Sequence, residues 1–238
     1  RSYSVTGVQT CALPILTERN KRANDSIKEL GPVITISREM GCPGTQLTSA
    51  LVQELNKRYR LKDDNLWHWL AKDKVQRIAA EKLGLPEEDI DYVFEAKRKG
   101  IMEEILQSMS TKYYKSDRRI QNTVKGVIRS EASKGRVVIL GRGGVAITRD
   151  IPRSLHIHLE APFEWRVLRV EEMYKFDTKS AEQYVKEIDK KREEIRVYFG
   201  GKDTDYTKFD ITFNSMTLSI PEIVDIIIHT MEVRNLIV

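Results

Sequence analysis

A strand, a turn and the start of a helix follow one another in the segment Pro32-Val-Ile-Thr-Ile-Ser-Arg-Glu-Met-Gly-Cys-Pro-Gly-Thr45. Its first part is mostly β-branched, which is typical of a buried parallel strand. After the glycine-containing turn, Leu47, Leu51 and Leu55 recur at helical spacing. A helix that begins directly after such a turn offers N–H groups and the positive end of its dipole to an anion. The segment therefore predicts a phosphate site at the end of a strand.

Three residues of this turn suit the phosphates of ATP. Gly41 and Gly44 would let the backbone approach a phosphate, and Thr45 lies where a hydroxyl can reach Mg²⁺. The common phosphate-binding loop has a lysine after its last glycine, and this chain does not. We expect Arg38, at the start of the turn, to supply the missing cation. A purely structural joint between strand and helix is the alternative.

The order of strand and helix recurs along the rest of the chain. Apolar and β-branched runs predict further strands at 136–140, 154–159 and 209–214. Helical spacing predicts helices at 162–174 and 178–199, and a capping-box pattern of Ser219 and Glu222 begins a closing helix. This alternation indicates an α/β fold, a parallel sheet with helices on both faces and ligands at the carboxyl ends of the strands.

The region from 63 to 134 predicts almost only helix. One apolar stripe at helical spacing is formed by Leu66, Leu70, Val75, Ile78 and Ala79. We interpret this region as a helical insertion into the α/β pattern.

A second glycine-rich turn, Gly141-Arg-Gly-Gly144, directly follows a predicted strand. An arginine between glycines can bind a phosphate through two hydrogen bonds, while the backbone leaves room for it. A tight turn with a solvated arginine is the alternative for Arg142. We expect the turns after Ser37 and Leu140 to meet in space as a paired cradle for two anionic groups.

The charged helix at 178–199 ends at Gly200-Gly201. Arg192 and Arg196 are four residues apart on it, so they share one face. We interpret residues 178–208 as an arginine lid that closes over a transferred phosphate. A solvated face with internal ion pairs is an equally simple interpretation.

The composition excludes several classes of protein. The 238 residues are 40% hydrophobic and 32% charged, which is globular rather than disordered, and no apolar run is long enough to span a membrane. Two cysteines, Cys11 and Cys42, exclude a disulfide scaffold and are typical of a reducing compartment, so we expect a cytoplasmic protein. The net charge of +5 is spread along the chain, which favours a small anionic ligand over nucleic acid. The sequence leaves the oligomeric state open, between a monomer and a homo-oligomer.

The first 30 residues are expected to lie outside the fold. Val5 to Ile15 resembles the translation of a sequencing-adapter oligonucleotide, so we interpret residues 1–30 as an artefactual or disordered extension. A signal peptide is the weaker alternative, because Gln9, Thr10 and Pro14 interrupt its apolar core. One domain is predicted at 31–238.

Several conspicuous residues are assigned to packing. His156 and His158 share one face of a strand, but closed metal sites normally need four ligands, so we expect no metal there. Trp67 and Trp69 are expected to pack, in the core or at partly buried surface, rather than to stack on a base. Cys42 lies at a helix N-terminus, which predicts a lowered thiol pKa and leaves a redox role as an alternative to an ordinary loop residue.

Five features in this order resemble the cytidylate kinase-like family, a branch of the P-loop nucleoside-monophosphate kinases. They are Ile34–Gly41, Ile139–Gly144, Leu159–Arg169, the pair Asp189 and Arg192, and Phe209–Asn214. The resemblance implies a three-layer P-loop kinase-like fold with a helical acceptor-binding insertion and an arginine lid. It also implies transfer of a phosphoryl group from ATP, with Mg²⁺, to a nucleoside monophosphate or a similar small phosphorylated acceptor.

The resemblance assigns roles to single residues. Gly41, Gly44 and Thr45 match the ATP phosphate loop, with Thr45 at the metal-binding hydroxyl. Arg142 matches the arginine that holds the acceptor phosphate. The remaining matches are Arg169 and Arg192, lid-side arginines near ATP, and Asp63, an aspartate of the acceptor-binding insertion. Arg196 joins them from helical spacing alone.

The phosphate loop departs from the family pattern. Cys42-Pro43-Gly44-Thr45 stands where the family has Ser-Gly-Gly-Arg. Pro43 removes a backbone N–H from a loop that donates them, and an arginine is lost. One missing arginine can cost roughly 10³-fold in phosphoryl transfer. A nucleotide-binding regulatory module without turnover is therefore the second hypothesis.

Overall fold

The computed structural model describes residues 30–62, 65–70, 72–87, 112–200 and 208–237. The adapter-like segment, Asp63 and Gly201 lie outside the described residues. Within the described ranges, no helix has the length and apolar character needed to cross a membrane.

The described strands form one parallel, five-stranded sheet in the order β2-β3-β1-β4-β5. They are β1 (Val33–Arg38), β2 (His68–Leu70), β3 (Val137–Leu140), β4 (Ser154–Glu160) and β5 (Ile211–Asn214). The central strand is β1, in which Ile36 is paired with Leu140 on one side and Ile157 on the other. Because these strands are parallel, the turns that follow them lie at one edge of the sheet.

Helices cover both faces of this sheet. They are α1 (Gly44–Arg58), α2 (Lys72–Leu83), α3 (Lys112–Lys134), α4 (Gly144–Thr148), α5 (Phe163–Tyr174), α6 (Thr178–Gly200) and α7 (Ile220–Val233). Successive strand residues face opposite sides of the sheet. Thus Ile34 and Ile36 pack in a core with α1 and α7, whereas Val33 packs in a second core with α2, α3 and α4. The predicted α/β fold with a doubly covered parallel sheet is confirmed.

The insertion is not wholly helical, so the predicted stripe from Leu66 to Ala79 is wrong at its start. His68–Leu70 is a strand that pairs with β3, and Leu66 is 41% exposed. Backbone pairing with a strand about seventy residues away overrides the local helical spacing, which is ambiguous for so short an apolar run. Helix α2 begins at Lys72 and places Val75 and Ala79 in the core, as the spacing predicts.

The two neighbouring tryptophans differ in burial. Trp67 is 2% exposed, and its backbone N–H and carbonyl are both hydrogen-bonded to the side-chain amide of Asn56, at 2.8 and 2.9 Å. Trp69 is 39% exposed at the edge of the sheet. The prediction of core or partly buried surface is therefore met by both residues, with Trp67 in the core and Trp69 at the partly buried surface.

The predicted capping box begins α7. The Ser219 N–H donates to Glu222 Oε2 at 2.8 Å, and the reciprocal bond is also present. Beyond the cap, α7 turns its apolar face, which includes Ile223, Ile227 and Met231, into the core.

The two histidines of β4 contact protein groups. The ring of His156 is hydrogen-bonded with Thr35 Oγ1 at 2.8 Å and Ser154 Oγ at 3.1 Å, and the ring of His158 stacks on Phe209 with centroids 4.5 Å apart. Burial lowers the pKa of both histidines, and repulsion from Arg196 helps to lower the pKa of His158 to about 4.

Acidification is expected to destabilise the protein through His158. Its pKa is about 4 in the folded chain and about 6.5 when unfolded. Between these pH values the unfolded chain therefore binds more protons than the folded chain. The free energy of unfolding consequently decreases as the pH falls from about 6.5 towards 4. His158→Phe keeps the stacking on Phe209 and should flatten this dependence, measured by urea unfolding at several pH values. His229→Phe, at a 77% exposed side chain, is the control, and an unchanged slope in His158→Phe would contradict the assignment.

Adjacent residues of α7 provide a test of the core. Ile227→Ala should lower the free energy of unfolding by about 2–5 kcal/mol, because its side chain is fully buried and leaves a cavity. Ile226→Ala, at a 41% exposed position, should change it by less than about 1 kcal/mol. Urea unfolding measures both, and similar losses in the two variants would show that this face of α7 is assigned wrongly.

Candidate active site

The turns after β1 and β3 lie against each other. The Gly141 N–H donates to the Ile36 carbonyl at 2.9 Å. A Cβ on Gly141 would lie 2.2 Å from Nη1 of Arg38, so any larger residue here would displace this guanidinium from its present position. The prediction that the turns after Ser37 and Leu140 meet in space is confirmed.

A cavity of about 580 Å³ opens between these turns and α6. Apolar parts of its wall come from Leu140, Ile188 and Ile195, and one acidic residue of the described part, Glu187, also lines it. Its cationic lining consists of Arg38, Lys72, Arg142, Lys191, Arg192 and Arg196. The structure thus brings together Arg38, Arg142, Arg192 and Arg196, the four arginines that the sequence predicts to contact phosphate.

Arg38 lies at the centre of this positive charge. Burial, followed by repulsion from Arg192, Arg142 and Arg196, lowers the pKa of Arg38 to about 9. Within the ranges that the structure describes, no carboxylate lies at ion-pair distance from its guanidinium. Crowded cations with little solvent around them are unfavourable until an anion offsets them, so this arrangement is typical of an anion site.

The other arginines are held by different elements. Arg142 lies between two glycines, and all three residues of this turn have positive φ values, 71° at Gly141, 57° at Arg142 and 65° at Gly143. Burial lowers the pKa of Arg142 to about 10. This conformation leaves no space at Gly143, where a Cβ would lie 2.5 Å from the ring of Phe199 in α6.

Helix α6 supplies its arginines from one face. Nη1 of Arg192 donates to the Arg38 carbonyl at 3.1 Å, and Arg196 is paired with Glu193. Burial lowers the pKa of Arg192. The expected shared face of Arg192 and Arg196 is confirmed, because both line the cavity.

The phosphate loop is hydrogen-bonded to side chains of α5 and α6. The Met40 N–H donates to Asp189 Oδ1 at 2.6 Å, and Arg166 donates to the Met40 carbonyl at 3.2 Å. Arg166 is 6% exposed and is paired with both Asp189 and Glu39. Sequence reasoning assigned no role to Arg166, although it lies in the segment Leu159–Arg169 that carries the family resemblance.

These contacts occupy much of the backbone of the loop. Besides the Met40 N–H, the Cys42 N–H donates to the Glu39 carbonyl at 3.3 Å and the Gly44 N–H to the Cys42 carbonyl at 2.9 Å. Pro43 has no N–H to offer. In this conformation the strongest attraction for an anion therefore comes from the arginine cavity rather than from the loop.

Four residues expected to bind the cofactor lie outside the cavity lining. Gly41 (φ 93°) has no room for a Cβ because the Arg166 carbonyl would lie 2.8 Å away, and Gly44 packs on the Arg38 side chain. Thr45 is exposed in the first turn of α1. Arg169 donates to the Gly41 carbonyl at 3.0 Å and lies over the Trp165 ring, so its contact is with the loop backbone.

The thiol of Cys42 is not activated, and the expectation of a lowered pKa is wrong. Burial raises the pKa of Cys42 to about 11. The loss of solvation outweighs the adjacent helix N-terminus, so the thiolate is disfavoured.

The fold and the cavity together define an α/β protein with an arginine-lined cavity at the carboxyl edge of a parallel sheet. The chain belongs to the cytidylate kinase-like family, which matches residues 33–217. The resemblance stated from the sequence is therefore confirmed.

Solved structures of similar shape include an uncharacterized protein from Eubacterium ventriosum, with 19% identity and a TM-score of 0.55 over 87% of this chain and 99% of that one. Shikimate kinase from Bacteroides thetaiotaomicron has 12% identity and a TM-score of 0.46 over 84% of this chain and 98% of that one. Among curated proteins, no sequence matches this chain. The first of these similarities supports the fold and no particular activity.

Removing the central charge of the cavity provides a test of the anion site. Arg38→Met should raise the melting temperature of the anion-free protein by about 2–4 °C, because it relieves repulsion among buried cations. It should also abolish most of the further rise that inorganic phosphate produces in the original protein. Differential scanning fluorimetry with and without phosphate measures both effects.

Arg58→Met is the matched control, because Arg58 is paired with Glu54 and Asp225 on the surface. It should leave the phosphate-dependent rise unchanged. A full phosphate-dependent rise in Arg38→Met would contradict the assignment of Arg38 to the anion site.

Proposed function

We propose that this protein is a phosphotransferase that moves the γ-phosphoryl group of ATP to a nucleoside monophosphate or a similar small phosphorylated acceptor, with Mg²⁺ as cofactor. The observation that carries this proposal is the convergence of four arginines on one cavity at the carboxyl edge of the sheet. Membership of the cytidylate kinase-like family supports it. The proposal includes a cytoplasmic location, where ATP and nucleoside monophosphates are both available.

The charge of the cavity suits two phosphate groups at once. Its six cationic residues face a single acidic residue of the described part, Glu187, which is itself paired with Lys191. Catalysis of phosphoryl transfer is mainly positioning and charge stabilisation, so a dense cluster of arginines is the machinery that it requires. Arg192 and Arg196 are offset in part by Asp189 and Glu193, whereas Arg38 has no carboxylate at ion-pair distance within the described residues.

Each arginine has a proposed role. Arg142, held between two glycines, binds the phosphate of the acceptor through its planar guanidinium. Arg38, Arg192 and Arg196 offset the negative charge that spreads over the transferred group. An oxygen of the acceptor phosphate forms a bond to the γ-phosphorus while the bond from that phosphorus to the bridging oxygen of ADP breaks. This oxygen is already ionised, so the step needs no strong general base.

The donor side fits the turn at the start of α1. First-turn N–H groups of a helix lack helical partners and can bind phosphate, and the exposed Thr45 hydroxyl is open to a metal ion. Mg²⁺ is usually bound through one or two protein ligands and the phosphates of the substrate, which suits a site with a single hydroxyl. Mg²⁺ held at Thr45 would offset charge on the phosphates of ATP. Gly41 and Gly44 complete the proposed cofactor site, with Arg169 supporting the loop.

One residue of the helical insertion is assigned to the acceptor. Asp63 is proposed to contact the acceptor, from the family resemblance alone. It lies outside the described residues.

A nucleotide-binding regulatory module without turnover is the second candidate. The bond from the Met40 N–H to Asp189 favours it, together with Pro43, because both reduce the N–H groups that the loop can offer to ATP. Incubation with MgATP and a panel of nucleoside monophosphates, while ADP release is followed, separates the two candidates. If ATP binds but no acceptor raises ADP release above background, the kinase proposal is wrong and the regulatory module stands.

Arg142 provides the corresponding test of the mechanism. Arg142→Ala should lower kcat/KM for the acceptor roughly 10³-fold, because it removes the group that positions the acceptor phosphate. Arg149→Ala is the control, at an exposed arginine just after α4, and should retain activity. Steady-state ADP release measures both variants, and comparable activity in Arg142→Ala and Arg149→Ala would overturn the role of Arg142.

A further inference from the structure

The cavity face of α6 continues well beyond the arginines. Tyr184, Ile188, Arg192 and Arg196 follow one another at intervals of four residues and all line the cavity. At a rise of about 1.5 Å per residue, Tyr184 lies roughly 12 Å along the helix from Arg192. The cavity therefore has arginines at the end near Gly143, and Tyr184 lies further along α6 beside the paired Glu187 and Lys191.

Tyr184 belongs to a cluster of three rings at the turn between α5 and α6. Its ring centroid lies 5.2 Å from Tyr174 and 5.5 Å from Phe176, and the last two rings are stacked 5.5 Å apart. Tyr174 is 45% exposed and Phe176 is 37% exposed. These rings thus present aromatic surface to solvent, and Tyr184 connects that surface with the cavity.

The turn between α5 and α6, which carries these rings, is fixed by hydrogen bonds at both of its ends. Lys175 has a φ of 57° and its N–H donates to the Glu171 carbonyl at 2.8 Å. The Asp177 carboxylate accepts a hydrogen bond from the Ser180 N–H at 3.0 Å at the start of α6. The exposed rings therefore lie on an ordered turn, so less conformational entropy is lost when a ligand binds to them.

We propose that Tyr184, Tyr174 and Phe176 form a stacking subsite for the base of a nucleotide whose phosphate is bound by the arginines that line the cavity. This inference rests on the proposed function, because it takes the cavity as a nucleotide site. A ligand with an anionic group at one end and a flat ring at the other matches the separation of the arginines from Tyr184 along α6.

The same cluster indicates weak selection among bases. The three residues of the cluster contact one another through their rings, so the cluster offers a ligand mainly aromatic surface. Aromatic stacking is tolerant of base identity because every base has a π-face. We therefore expect purine and pyrimidine monophosphates to depend on the subsite alike.

Titration calorimetry with CMP, AMP and inorganic phosphate tests the subsite. Tyr184→Ala should weaken binding of CMP and AMP by about tenfold or more, while binding of inorganic phosphate changes less than about twofold. Tyr184→Phe keeps the ring and should bind the nucleotides as the original protein does. Tyr198→Ala is the control, since this tyrosine is also on α6 but does not line the cavity.

A second variant protects the test from misfolding. Phe176→Ala alters an exposed ring and should also weaken nucleotide binding without affecting inorganic phosphate. The subsite is overturned if both alanine variants bind CMP and AMP normally, or if they lose nucleotides and phosphate equally. It is overturned as well if the original protein binds nucleotides no more tightly than phosphate. The release of ADP with an acceptor tests the proposed kinase activity separately, so the two failures are distinguishable.

Discussion

The central position of β1, paired in parallel with β3 on one side and β4 on the other, is the constraint on which the site depends. Parallel pairing brings the turns after β1 and β3 to one edge, and the bond from Gly141 to Ile36 locks them together. Two cations, Arg38 and Arg142, are consequently forced into one small volume. Their repulsion is a cost to the fold in the absence of a ligand, and an anion bound there would offset it.

Asp189 links this cavity to the loop on its far side. Its carboxylate accepts the Met40 N–H and is paired with Arg166, while the neighbouring Arg192 reaches the Arg38 carbonyl. Movement of α6 therefore changes the loop backbone and the charge of the cavity together. An ATP phosphate that accepts a hydrogen bond from the Met40 N–H would have to displace Asp189. Because Asp189 and Arg192 are both on α6, this helix would couple the proposed ATP loop to the arginines of the cavity.

Local sequence patterns predicted the parts of this protein that local physics determines. The strand ends, the glycine and arginine turns and the capping box at Ser219 all follow from spacing and residue type, and the structure confirms them. Strand β2 was beyond such reasoning, because His68–Leu70 becomes a strand only by pairing with β3. The role of Arg166 depends on contacts with Met40 and Asp189, which are distant in sequence. The roles of Gly41, Gly44, Thr45 and Arg169 in binding ATP stay predictions.

The environment of Cys42 has a practical consequence for chemical intervention. Its thiol stays protonated over the physiological range, because its pKa is about 11. Electrophilic groups that react with a thiolate would therefore react slowly with Cys42, although it lies in the glycine-containing loop after β1. Inhibitors of this protein would thus have to rely on reversible contacts, with anionic groups directed at the arginines rather than at sulfur.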